Sequence, residues 1–223
     1  TMKICKIACT VCCAALLGVV LLSGCQSTGR EEESPLRSAA LDTEGPVEKV
    51  VLDCDNSMGS FFWEVDDGLV ISYLLNHPRA DLLGITTTFG NRTYKHVYTQ
   101  RMLRDAGRTD VPLYKGAQDP DAPPTEAAQF LVDTVTRYPG EVTILAAGPL
   151  SNLQSACTLD PDFYQKVKQV LVMGGLQEPE LVMGSREVSE LNLSADHEAT
   201  QQLLQSGADI TIMTTEICLE APF

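Results

Sequence analysis

The sequence predicts an α/β domain built on an open, mainly parallel β-sheet flanked by helices. Three observations carry that expectation: short apolar runs alternate with longer amphipathic segments from about Glu48 onward; the runs end in small polar or acidic residues; no repeat of solenoid period interrupts them. "KVVLDCD" reads as a buried strand, and "DDGLVISYLLNH" as a helix whose start is favoured by Asp66 and Asp67 against the helix dipole. "ADLLGITTTFGN" is the next strand with its loop, followed by the helix "YKHVYTQRMLRDAG", which Gly107 closes. Then come a helix over 125–138, the strand "EVTILAAG", a helix after "GPLSN", the strand "KQVLVMGG", a helix over 195–206 and the strand "DITIMTT".

The segment before Glu48 has a different character. Lys3 and Lys6 precede the apolar run "IACTVCCAALLGVVLLSGC", a basic start followed by a short hydrophobic stretch of the kind that directs export. It closes on Leu22-Ser23-Gly24-Cys25, which resembles the lipobox of bacterial lipoproteins, so residues 1–25 are expected to be a leader cleaved before a lipidated Cys25. The alternative is an uncleaved anchor, since Ile7 to Gly24 approaches the roughly 20 residues a bilayer needs. Residues 26–47 are polar, with Gly, Pro and a Glu run, and read as a flexible tether. The expected organisation is leader, linker, and a folded domain over 48–223, held by lipid at the bacterial cell envelope. Thr1 before Met2, and an end just after an apparent strand, lead to the expectation of a fragment or a truncated product.

Composition bounds the partners. With 44% hydrophobic and 21% charged residues the chain can bury a sizeable core. Thirty acidic against sixteen basic residues, a formal charge of −14, repel phosphate backbones, so nucleic acid is not an expected partner and a metal cation is the more natural guest. Cys5, Cys9, Cys12 and Cys13 fall in the leader, and the remaining Cys54, Cys157 and Cys218 imply no disulfide framework. Homo-oligomer formation is left open.

In open α/β sheets ligands lie outside the C-terminal ends of the strands. That rule puts Asp53 and Asp55, Asn91, Ala147 to Asn152, and Met173 to Gly175 on one rim. Carboxylates at a strand end and at a following helix start can converge on one hard cation, because Ca²⁺ takes six to eight oxygen ligands. Adjacent Asp66 and Asp67 repel each other unless a cation or the helix start offsets them. A DxD at a strand end is a weak signal alone, since exposed carboxylates are ordinary.

The ordered set "DCD…DDG", "TTTFGN", "AAGPLSN", "LVMGG" and "ELNLSADHEA" resembles the nucleoside hydrolase family, the calcium-dependent N-ribohydrolases, from about Val47 to Phe223. The resemblance implies hydrolysis of a ribonucleoside to ribose and free base with bound Ca²⁺. It makes Asp55 a calcium ligand and the base for the metal-bound water, Asp67 a second ligand, and the Ala147 backbone carbonyl a third. It gives Asp53 a supporting role and puts Asp66, Asn91, Met173, Glu190 and Asn192 around the substrate. Met173 has a second reading as core packing.

The sequence departs from the family pattern in four places. Ten residues, "NSMGSFFWEV", separate Asp55 from Asp66 where the family spacing is DxDPGxDD, so this loop must bulge outward if the two pairs are to meet. Its Phe61-Phe62-Trp63 reads either as a lid over the nucleobase or as a small core for the loop itself. Gly184 stands where an asparagine often precedes the Glu-x-Asn motif. The family's final calcium aspartate, and a histidine near it, match neither His197 nor Glu216, so calcium affinity and catalysis in this chain are expected to be impaired. The lipoprotein leader is an addition. Two other functions compete. "VVLDCDNS" resembles the first motif of haloacid dehalogenase-type phosphatases, with Mg²⁺ and with Lys166 or Lys168 as the later lysine, but no acidic pair follows "VLVMGGL". An envelope lipoprotein that captures nucleosides without turnover is the other.

Overall fold

The computed structural model describes residues 44–59, 65–90, 92–177, 181–183, 186–188 and 190–219. The leader with Cys25, the linker up to residue 43, Asn91, Phe61 to Trp63 and Gly184 lie outside the described residues. In chain order the elements are β1 (Glu48–Cys54), α1 (Asp66–Asn76), β2 (Ala80–Thr87), α2 (Arg92–Asp105), β3 (Leu113–Lys115), α3 (Glu126–Arg137), β4 (Val142–Ala146), α4 (Ser151–Leu159), α5 (Phe163–Lys166), β5 (Gln169–Met173), β6 (Leu181–Met183), β7 (Arg186–Val188), α6 (His197–Gln205), β8 (Ile210–Met213) and α7 (Thr215–Leu219). Each of the ten elements read from the sequence is present. The additions are β3, α5, α7 and the antiparallel β6–β7 pair, pieces of three to five residues too short to show a period.

Six strands form one parallel sheet in the order β3-β2-β1-β4-β5-β8. The winding starts at β1, runs out through β2 to β3, then returns to build β4, β5 and β8 on the other side. Chain connections therefore leave β1 and β4 in opposite directions, which opens a crevice at their C-terminal ends, where open α/β sheets bind ligands. β1 is central, and its last five residues, Val50 to Cys54, are buried without alternation, as a strand covered on both faces requires.

Helices cover both faces over two apolar clusters. One gathers Val51, Ile144, Val170, Val172, Leu131, Leu153 and Phe163 beneath α3 to α6; the other gathers Leu52, Ile85, Ile71 and Leu103 beneath α1 and α2. Each fully buried aliphatic side chain contributes about 1.5–3 kcal/mol relative to exposure. At Gly84 an added Cβ would stand 2.5 Å from the Phe130 ring, so the absence of a side chain lets α3 close on the sheet. Caps follow the sequence signals where side chains suit them. Thr125 accepts from the Ala128 amide to start α3, Asp196 accepts from the Ala199 amide to start α6, and Gly107, at φ +68°, terminates α2.

Candidate active site at the sheet switch point

β1 delivers Asp53 and Asp55 to the crevice, and α1 delivers Asp66 and Asp67 from its first turn. The two pairs meet despite the intervening residues. The Asp55 backbone amide donates to Asp67 Oδ2 at 2.9 Å. Two features hold the segment after Asp55 in place. Asn56 is fully buried, donates to Thr99 Oγ1 on α2 at 3.0 Å and accepts from the Met58 amide. Gly68 faces Met58 so closely that a Cβ would lie 2.0 Å from the Met58 sulfur. The chain thus leaves β1, braces against α2, and re-enters at α1 with its carboxylates beside Asp55.

Behind the rim is a buried polar network. Asp53 Oδ1 accepts from Thr86 Oγ1 at 2.6 Å and from Asn152 Nδ2 at 2.7 Å, while Asn152 Oδ1 accepts from the Ala117 amide at 2.7 Å. Asn152 thereby ties β1, the loop after β3 and the start of α4 together. Gly116 makes room for it, since a Cβ there would sit 2.1 Å from Asn152 Oδ1. Gly148 in the "GPLSN" turn has the same role toward Asp55, with its added Cβ 3.2 Å from the Asp55 Cβ and amide nitrogen.

Burial, the largest cause, pushes the Asp53 carboxyl up to about 7, with the hydrogen bonds from Thr86 and Asn152 pulling down and Asp55 adding to the rise. An unfolded aspartate titrates near about 3.9. Between these values the folded protein holds a proton that the unfolded chain has released. Stability from Asp53 is therefore full below about pH 4 and declines as pH rises toward about 7. Urea unfolding in chelator at about pH 5 and about pH 7 should show a larger loss for the wild type than for Asp53→Asn, which cannot titrate; equal losses would contradict the assignment. Asp66 and Asp67 do not confuse the comparison, being present in both proteins. Burial raises both, the neighbouring Asp55 adding to each.

The opposite wall comes from β4, β5 and the segment before α6. Asn192 Nδ2 donates to the Met173 carbonyl at 3.0 Å and the Ala147 carbonyl at 3.2 Å, and lies 3.4 Å from the Met173 sulfur. Gly174, at φ +150°, lets this segment approach, a Cβ there falling 2.9 Å from Glu190 Oε1 and 3.2 Å from the Asn192 Cβ. Glu190 uses its carboxylate locally, accepting from the Leu193 and Ser194 amides at 2.9 and 2.8 Å. The segment is pinned from below, where Ser151 Oγ donates to buried Asp196 Oδ2 at 2.6 Å. Met173 packs against the α1–α2 core cluster, as its core reading has it, and its sulfur lies 3.4 Å from Asn192 Nδ2.

Sequence reasoning missed Lys95. Its ammonium lies 2.7 Å from Asp55 Oδ2, its side chain only 12% exposed. Shortly before α2, Phe89 (φ 58°) and Gly90 (φ 63°) are consecutive left-handed residues, held by their amides on the Ala117 and Gln118 carbonyls. A bulky residue such as Phe adopts this conformation only under tertiary constraint. No local signal separated Lys95 from the other basic residues of α2.

Among the described residues no three or more His, Cys, Asp or Glu side chains group as a metal cluster. The donor set implied here is instead two carboxylates, Asp55 and Asp67, with the Ala147 carbonyl. Asp67 Oδ1 is buried without a hydrogen-bond partner, an oxygen donor that a hard cation would satisfy. These oxygen donors fit calcium.

A family model described as inosine-uridine preferring nucleoside hydrolase matches residues 50–223. The chain is 32% identical over 207 residues to "Uridine nucleosidase 1" of Arabidopsis thaliana, covering 79% of this chain and 59% of that protein. Two solved structures share its fold. A plant nucleoside hydrolase, PpNRh1, superposes with a TM-score of 0.64 at 28% identity, over 77% of this chain and 61% of that one. A purine-preferring ribonucleoside hydrolase from Gardnerella vaginalis gives a TM-score of 0.61 at 25% identity, over 75% and 60%. The chain thus spans about 60% of the length of the relatives it matches.

Proposed function

We propose, because this chain belongs to the inosine-uridine preferring nucleoside hydrolase family, that the whole protein cleaves the N-glycosidic bond of ribonucleosides, releasing ribose and free base, with Ca²⁺ at the switch-point site. The observation that carries the reading is the hydrogen bond from the Asp55 amide to the Asp67 carboxylate. It joins two aspartate pairs across a ten-residue separation at the place where an α/β sheet binds ligands.

Asp55, Asp67 and the Ala147 carbonyl would hold the cation. A cation held there would supply Lewis acidity toward water. Asp55 would take the proton of the water that attacks the anomeric carbon. Positive charge grows on the ribose ring as the bond to the base breaks, and the carboxylates of Asp55 and Asp66 bind that charge more strongly than the neutral ground state. Asp66 accepts a hydrogen bond from a ribose hydroxyl. Asn192 spends its amide N–H groups on the Ala147 and Met173 carbonyls, which leaves its Oδ1 as an acceptor for ribose and couples sugar binding to the carbonyl on the metal. Asn91 belongs beside the ribose by the family motif. Glu190 acts from its local hydrogen bonds, holding the turn that carries Asn192.

Uridine is named for one relative and a purine preference for another, and both classes belong in the test. Full-length protein incubated with uridine or inosine should release reducing sugar in Ca²⁺ and lose that activity in chelator, with recovery on adding Ca²⁺ back. Nucleoside binding by calorimetry without sugar release would favour a capture protein instead. The leader features support lipidation at Cys25, a tether over residues 26–47 and a place at the cell envelope, where such an enzyme would meet external nucleosides.

A further inference from the structure

We infer that Lys95 is a built-in competitor of the cation at this site: its ammonium neutralises Asp55 in the metal-free protein and weakens Ca²⁺ binding. The inference rests on the reading that Asp55 and Asp67 hold calcium.

Three observations carry it. Lys95 Nζ and Asp55 Oδ2 are 2.7 Å apart, hydrogen-bond distance, so the ammonium occupies one of the lone-pair directions a metal would use. The contact is held from more than one side: Lys95 is largely buried, and its ammonium lies 5.7 Å from the Phe89 ring centroid. Lysines are rarely buried without a partner, and here the partner is the carboxylate to which the catalytic role falls. Finally, Asp55 lies among Asp53, Asp66 and Asp67, a concentration of carboxylates whose repulsion a nearby ammonium relieves.

Two cations cannot share Asp55 without repelling each other. Entry of Ca²⁺ must displace the ammonium from Oδ2 or accept its field at close range. Either way the site binds calcium less tightly than the same carboxylates would without Lys95, by about tenfold for an ammonium displaced to roughly 6 Å from the cation and screened as in bulk water.

Calorimetric titration of Ca²⁺ into chelator-stripped full-length protein tests this with wild type, Lys95→Met, Lys95→Gln and Lys95→Arg. Methionine keeps the length without the charge; glutamine keeps a donor to Asp55 and guards against a folding defect in the first variant; arginine keeps the charge. Both neutral variants should bind Ca²⁺ about tenfold more tightly, and Lys95→Arg should stay within roughly threefold of wild type. Neutral variants that bind no more tightly than wild type, or an arginine variant that tightens as they do, would overturn the competitor role and leave the calcium reading standing. Absence of Ca²⁺ binding in wild type and variants alike would remove both.

Discussion

Asp55→Asn is expected to lower kcat/KM for ribonucleoside hydrolysis by about 10³-fold or more while leaving the fold intact. Two functions are lost at once, a charged ligand for the metal and the acceptor for the proton of water. The fold should survive, because asparagine retains the backbone amide that donates to Asp67 and offers its Oδ1 to the Lys95 ammonium. Asp55 is also only partly confined, with its side chain 33% exposed, so the exchange of one oxygen for an amide nitrogen creates no buried gap. Steady-state assays with uridine and inosine, alongside thermal unfolding, separate the two quantities. A variant that keeps more than about a tenth of wild-type kcat/KM would remove Asp55 from the catalytic role.

Asn152→Ala should instead act on stability, lowering the free energy of unfolding by about 2–4 kcal/mol. Asn152 is fully buried and is bonded at both ends of its amide. Its loss leaves the Ala117 amide without an acceptor and Asp53 with Thr86 alone, inside a region closed to water. The space does not close easily, because Gly116 and Thr87 present backbone to the vacated position. Urea unfolding should show a lower midpoint with an unchanged slope. A change below about 1 kcal/mol would mean that the rim is held by the apolar core and not by this network.

The contrast between these two residues shows what was legible. Asp55 stands out in the sequence because it follows an apolar run and belongs to an ordered set of motifs. Asn152 appeared only as part of "GPLSN", and its partner Asp53 is 99 positions away in the chain. Glu190 is intermediate. Its motif was visible, but that both carboxylate oxygens serve amides three and four residues later depends on how the turn folds over Gly174. The short strand Leu113–Lys115 and the pair Leu181–Met183 with Arg186–Val188 carry no readable period, and only their neighbours define them as strands.

By itself the sequence determined the fold class, the order of the principal strands and helices, and which residues stand at strand ends. These follow from local periodicity and from the small and acidic residues that stop each run, information that spans a few positions. Only the tertiary structure decided that β1 and β4 flank the switch point, that Asp55 and Asp67 meet across the insertion, and that Lys95 lies against Asp55. Those outcomes depend on the direction of each crossover and the rotation of each helix about its axis. Both are set by packing between segments far apart in the chain, and no local pattern encodes them.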